Sequence, residues 1–455
     1  MRKLWKKLVK IPFEKKSLVF EGFALYQRKD KQLCGIESKN CACVGGVLKT
    51  GIGGKEFINY AGMEVVAPSG VELCGIYLVD FSHADNSLKE EKILAFTKNG
   101  EMLLYDQFDG VWTEVAFVGK DAKAEVVYGA DGDMRIVVAG RGRVLAFDKQ
   151  FDSVLIAEGD TRNALCLCKN RVFFLDGVNG LRYSDPILPW DFTSTIDGGG
   201  ELRLPTDFGE SVGLVSVGES VYVLFERGIV RVKVAGRARD FEIEKVAYSG
   251  GKILHSSACE LNGYGVFLAT DGLYAITGKE TKGVCKELSI SARFDTQAFC
   301  DCAVFNGKGV WQYTDENGER KCVVLDGDLK SGYFSEVVDG LGGREGVALF
   351  RRGDKVYSLC LDGDLSDGER YSFKTGVLSF GGRERKCLKE ITFEGDGSFL
   401  LGVDYGDGYF EKALVFENGI ASARVDGRGR SFSFTFTLDK GTTLRKMTAE
   451  MVKLS

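Results

Sequence analysis

Residues 266–277 read VFLATDGLYAIT: an apolar run, a turn at Asp271-Gly272, and a second apolar run. Asp-Gly between two such runs is the sequence of a tight β-hairpin, because the turn needs a residue that accepts positive φ. The same unit recurs on both sides. It appears as ILAFTKNGEMLLYD (93–106), IVVAGRGRVLAFD (136–148), VFFLDGVNGLRYSD (172–185), VYVLFERGIVRVK (221–233), VWQYTDENGERKCVVLD (310–326) and VYSLCLDGDLSDGERYSF (356–373).

The turn glycines are Gly100, Gly142, Gly180, Gly228, Gly272, Gly318 and Gly363, so successive intervals are 42, 38, 48, 44, 46 and 45 residues. A period near 44 is about what four short strands and their turns consume, and it is the spacing of propeller blades. Each four-stranded sheet has two apolar faces that it cannot bury alone, and radial repetition covers both. The expectation is an all-β chain built on a β-propeller of about seven four-stranded blades over residues 40–370. One hairpin could instead belong to an accessory sheet. A β-sandwich is the alternative for the repeats, and the fixed period argues against it.

Composition agrees with many short strands: the chain of 455 residues holds 59 glycines and only 5 prolines. No stretch approaches the roughly 18 apolar residues of a membrane span, and no signal-peptide core follows the basic start. A cytoplasmic site of synthesis is therefore expected. The formal charge of −5 lacks the basic excess of a general nucleic-acid-binding surface.

Thirteen cysteines cannot all pair within one chain. Three C-x-C pairs, Cys41/Cys43, Cys166/Cys168 and Cys300/Cys302, would put both sulfurs on one face of a strand, and the C-x-x-C spacing of a zinc ribbon is absent. Reduced cysteines serving as small core residues are expected.

Both ends lie outside the period. MRKLWKKLVKIPFEKK (1–16) sets Leu4, Trp5, Leu8 and Val9 at helical spacing among basic residues. Residues 1–39 thus read as a basic arm with entry strands, able to dock on a protein partner, a lipid surface or DNA phosphates through Trp5 and its neighbours, or to pack as a solvated tail. Residues 371–455 read as a terminal β unit that closes the ring or forms a small sandwich. Within it, RSFSFTFTL alternates Phe432, Phe434 and Phe436 with Ser433, Thr435 and Thr437, the pattern of a half-buried strand.

Catalytic chemistry finds little to work with. The two histidines, His83 and His255, sit in no triad or zinc-hydrolase frame, and His255 reads as a hydrogen-bonded structural residue. The acidic segment 362–369 and the Asp-Gly turns near Asp328 and Asp396 do not follow the order of a calcium loop, and Asp and Gly are ordinary turn residues. DGVWTEV near Trp112 resembles a sialidase Asp-box only in the wrong order. No enzyme activity, cofactor or metal is expected.

The loop LRYSDPILPWDF (181–192) concentrates two of the five prolines, Pro186 and Pro189, beside Tyr183, Trp190 and Phe192, with a glycine run at 198–200. Proline stiffens an excursion that makes no ladder bonds, and aromatics on a stiff loop are good interface anchors. Tyr183, Pro186, Pro189, Trp190, Phe192 and, in the arm, Trp5 are therefore the expected interface residues. The competing reading folds Trp190 and Phe192 back onto the blade's own core.

Residues 170–278 as a run resemble the virion β-propeller proteins of tailed bacteriophages, the tail-tube, nozzle and packaged-DNA-stabilisation group. The likeness rests on Arg182, Ser184, Asp185, Pro189, Trp190 and Phe192 in the loop, on Phe225, Glu226, Arg227 and Gly228 in one hairpin, and on Phe267, Leu268, Asp271, Gly272 and Tyr274 in another. Gly427–Gly441 and a faint match at NCACVGGVLKTGIG bring the coverage to about half the chain. The resemblance implies a non-enzymatic part of a phage tail or portal-proximal complex, a homo-oligomeric ring around the DNA exit axis. Its partners would be portal, adaptor or tail proteins, with non-specific passage of DNA, assembly in the host bacterial cytoplasm and residence in the virion. A glycan-binding or glycan-cleaving propeller for host attachment is the alternative; a WD40 scaffold lacks its signatures.

Overall fold

The structure is a computed structural model that describes residues 15–453 apart from 22, 26–32, 81–90, 131, 194–197, 206, 295–299, 345, 362 and 381–383. Trp5, nearly all of the basic arm, and His83 lie outside the described residues. The chain divides into two compact units. One holds residues 54–332 and 337–360; the other holds 1–53, 333–336 and 361–455.

The first unit is a propeller of seven antiparallel sheets. Blades one to five each carry four sequential strands, and their innermost strands are Leu73–Asp80, Lys120–Tyr128, Thr161–Cys168, Ser211–Val217 and Cys259–Leu261. Blade six begins with Cys300–Phe305 and blade seven with Asp339–Arg344. Each innermost strand touches the next, and Asp339–Arg344 returns to Leu73–Asp80, so the ring is closed.

Closure joins opposite ends of the chain. The third strand of blade seven, Lys355–Leu361, is bordered by the outermost, Ile52–Glu56, synthesised before any blade. Stitching continues past that strand: Phe57 N donates to Val356 O at 3.0 Å, Val356 N to Val65 O at 2.8 Å, and Ala67 N to Asp354 O at 2.7 Å.

The core lies between blades rather than at the ring's centre. Phe96, Met102, Ile136, Val138 and Phe147 fill the space between blades one and two, and Val137, Val144, Val172 and Phe174 that between two and three. Because neighbours cover both faces, middle strands read as unbroken apolar runs. In SVYVLF of blade four every residue is buried. Each such side chain contributes roughly 1.5–3 kcal/mol by leaving water, so a blade without its neighbours would lose most of its support.

The second unit is a small sandwich. One sheet runs Cys41–Val44, Val47–Thr50, Thr443–Lys453, Lys386–Asp396 and Ile420–Gly429, with Lys15–Phe20 also on Thr443–Lys453; Leu33–Lys39, Tyr371–Thr375, Ser433–Leu438, Ser398–Asp404 and Tyr409–Val415 form the other. Phe393 of the first sheet meets Phe399 and Phe436 of the second edge-on at 5.0 and 5.8 Å. Phe432, Phe434 and Phe436 are buried while Ser433, Thr435 and Thr437 are only partly so, the expected alternation.

Three boundaries differ from the sequence reading. Residues 33–50 belong with the C-terminal strands, as Gly35 opposite Thr375 and Lys49 opposite Thr443 show, so the entry strands are integral to the sandwich. Lys15 and Lys16 pair with Val452 and Met451, which puts the end of the basic segment in a sheet. The seventh hairpin turns at Gly353, φ +62°, not at Gly363. Val356–Leu361 is a third strand, and the Tyr-Ser-Phe after it enters the sandwich.

Candidate functional site

The proline-bearing loop, described over residues 184–193 and 198–199, lies between the third strand of blade three, Gly180–Tyr183, and its fourth, Gly200–Arg203. Its polar residues fix its path. Ser184 Oγ accepts from Val172 N at 2.8 Å, and Asp185 Oδ1 accepts from Ile187 N at 2.7 Å, an Asx turn that caps the tip. Asp191 N donates to Leu188 O at 2.8 Å. The buried guanidinium of Arg171 gathers both ends: Nη1 donates to Ser184 O and Gly198 O, each at 2.7 Å, and Nη2 to Gly236 O at 3.1 Å. The glycine run has a steric cause. A Cβ at Gly199 would come within 2.6 Å of the Phe192 backbone, and one at Gly200 within 2.5 Å of the Tyr183 hydroxyl.

The apolar residues of this loop divide in two. Phe192 is 6 % exposed and meets Phe174 edge-on at 5.1 Å; Tyr183 is 8 % exposed and packs on Phe241 at 5.3 Å; Pro189 is buried. Trp190 is half-buried on the same core, and Arg135 stacks over its ring at 4.6 Å. Tyr183, Pro189 and Phe192, expected at an interface, are buried within the subunit: Phe192 completes the core between blades two and three, as the competing reading had it, and Tyr183 that between three and four. Pro186 is partly buried, while Ile187 and Leu188 are 61 % and 36 % exposed. Stiffened from beneath by aromatics, the loop presents an apolar tip of Ile187 and Leu188.

A second constellation lies on the ring's axis, where the innermost strands converge. Lys123 of blade two reaches Ser256 O, just ahead of blade five, at 3.1 Å, and Asn163 of blade three donates to Ser256 Oγ at 2.6 Å. These bonds cross the ring. Asp301 of blade six stands here with its Oδ2 buried and without a hydrogen-bond partner among the described residues. Burial raises its carboxyl to about 8, with Lys123 opposing the shift and Cys302 adding to it. The Tyr77 hydroxyl is pushed up by burial and by Asp301.

Cys302 Sγ lies 3.4 Å from Ser256 O and 3.3 Å from Ala258 O, beside Cys259. Cys259 and Lys123 lower the Cys302 thiol to about 7 against the effect of burial, while Cys259 is raised. None of the thirteen cysteines forms a disulfide, and Cys166 and Cys168 share the core between blades three and four. Beyond the C-x-C spacing that includes Cys302, nothing in the sequence marks this cluster, since its members come from five separate repeats.

The remaining candidates have structural places. His255 stands beside Phe294, its pKa lowered by burial and by Arg141 and Arg162; its Nε2 has no hydrogen-bond partner among the described residues, unlike the hydrogen-bonded residue expected. Asp328 caps Lys330 N and Ser331 N, Asp364 pairs with Lys440 at 2.8 Å and Glu369 with Lys39 at 2.7 Å. Trp112 packs on Tyr105 and donates to Val66 O. Among the described residues no group of three or more His, Cys, Asp or Glu is placed to hold a metal ion.

No protein-family model matches this chain, and no curated protein matches it in sequence. Among solved structures the similarities are distant. Virginiamycin B lyase from Staphylococcus aureus is 13 % identical, with a TM-score of 0.46, covering 68 % of this chain and 99 % of the lyase. The computationally designed Ika8 protein is 14 % identical, with a TM-score of 0.39, covering 66 % and 99 %. The extracellular domain of a one component system from B. thetaiotaomicron is 10 % identical, with a TM-score of 0.44, covering 88 % and 59 %. At such identities the likeness concerns the β-propeller fold alone.

Proposed function

We propose that this propeller is a non-enzymatic structural subunit of a tailed-bacteriophage virion, assembled as a homo-oligomeric ring around the DNA exit path and docked on portal, adaptor or tail proteins. The residues of the phage-like loop support the reading most directly. Ser184 and Asp185 fix that loop, Trp190 and Phe192 brace it from within, and what remains outside is the apolar pair Ile187 and Leu188. A rigid loop with an apolar tip suits association, because little freedom is lost on docking.

The axis bears on the route of DNA. Lys123 and Asn163 bridge the lumen to Ser256, whereas the major groove of duplex DNA alone is ~12 Å wide. Under this reading DNA therefore runs between copies of the chain, not through any one propeller. The test is sedimentation and electron microscopy of the full chain with the products of its neighbouring genes. Ring assembly with incorporation into tailed particles is expected; a monomer that stays out of particles and binds or cleaves glycans on an array would overturn the proposal in favour of host attachment.

A further inference from the structure

Cys259 opens the innermost strand of blade five and Cys302 lies in the innermost strand of blade six. The two strands are neighbours on the ring, and Cys302 Sγ lies 3.3 Å from the carbonyl of Ala258, the residue before Cys259. Both residues keep partial exposure, unlike Cys166 and Cys168. Lys123, held by Ser256 O, supplies a positive charge to both sulfurs. A core cysteine has none of these features: Cys166 and Cys168 are buried on one face of blade three.

We propose that Cys259 and Cys302 are a redox-active pair, which a low-molecular-weight disulfide oxidises to a covalent link between blades five and six, Cys302 attacking first. The Cys302 thiolate attacks one sulfur of R–S–S–R, forming a mixed disulfide and expelling R–S⁻. Cys259 then loses its proton and displaces the second R–S⁻ from Cys302, closing the Cys259–Cys302 bond. Two protein thiols are oxidised, the reagent is reduced to two R–SH, and the two protons released by the protein end on them. Cys302 suits the attacking role because Cys259 and the Lys123 ammonium, with which it shares the Ser256 carbonyl, favour its charged form against burial and the two carbonyls it touches.

The test exposes the full-length folded protein to oxidised glutathione, quenches with acid, alkylates in denaturant and maps peptides without reduction. Two of the thirteen thiols should disappear into one linked pair, Cys259 with Cys302, while Cys166 and Cys168 remain alkylated. In Cys259→Ser the resolving sulfur is missing, so a glutathione adduct should accumulate on Cys302; Cys302→Ser should leave Cys259 unmodified. Lys123→Met in the wild-type background should slow bond formation about tenfold. A folded wild-type protein, judged by its circular dichroism, that forms no Cys259–Cys302 link would overturn the proposal, as would an adduct on Cys259 rather than Cys302 in the single variants.

Discussion

The ammonium of Lys123 in blade two sits 3.1 Å from the main-chain carbonyl of Ser256 ahead of blade five, a hydrogen bond that spans the propeller from one side to the other. The side chain is partly buried. Lys123→Met should remove the stronger of the two donors to Ser256 O, leaving only the Cys302 thiol, and cost about 1–3 kcal/mol, read as a lower midpoint in denaturant unfolding. An unchanged midpoint would mean that water replaces the ammonium without loss.

Asp301 should make stability fall with rising pH. An unfolded Asp carboxyl loses its proton near 4, while burial holds the folded one to about 8. Between those values the folded chain keeps a proton that the unfolded chain lacks, so this group destabilises the fold by at most about 1.4 kcal/mol per pH unit across the window. Asp301→Asn should flatten the profile of melting temperature between pH 4 and 8. A wild-type slope that survives the substitution would assign it to other groups.

The loop of blade three separates folding from association. Ile187 and Leu188 are exposed, so the double change to Glu should alter folding stability by no more than about 0.5 kcal/mol while abolishing incorporation into particles. Phe192→Ala opens a buried site and should cost about 3–5 kcal/mol; Trp190→Ala, half-buried, should cost roughly 1–3 kcal/mol. Denaturant unfolding and particle incorporation on the same variants distinguish the two roles.

Arg171 should behave as the clasp of that loop. Its guanidinium serves Ser184 O, Gly198 O and Gly236 O together, a geometry that the single ammonium of lysine cannot reproduce. Arg171→Ala should destabilise the protein by about 3 kcal/mol or more and expose residues 184–199 to limited proteolysis at native pH. Arg171→Lys should recover only part of the resistance.

Hairpins were legible because Asp-Gly and Asn-Gly turns are local chemistry; Gly100, Gly142 and Gly272 indeed take positive φ at their turns. The last repeat misled for a physical reason. Gly363 follows an apolar run as the others do, but that run is the third strand of its blade, and turn residues carry no information on which partner a strand will find. The loop's rigidity could be read from its prolines, but the burial of Tyr183 and Phe192 depends on apolar space between blades that only the closed ring creates. The axial cluster was invisible. Lys123, Asn163, the neighbours Ser256 and Cys259, and Asp301 come from stretches tens of residues apart, and strand alternation does not say which side chains point towards the axis.

The seam between Ile52–Glu56 and Lys355–Leu361 gives synthesis a direction. Glu56 and Lys355, joined at 2.9 Å, are 299 residues apart in the chain. At ~5–20 residues per second a ribosome needs roughly 15–60 s to deliver the second after the first. The sandwich waits as well, since its strand Leu33–Lys39 pairs with Tyr371–Thr375. Early-made edges therefore stand unpaired through most of translation, and a nascent chain released short of residue 361 has neither a sealed ring nor a completed sandwich. Such fragments should be the form of this protein that depends most on chaperones.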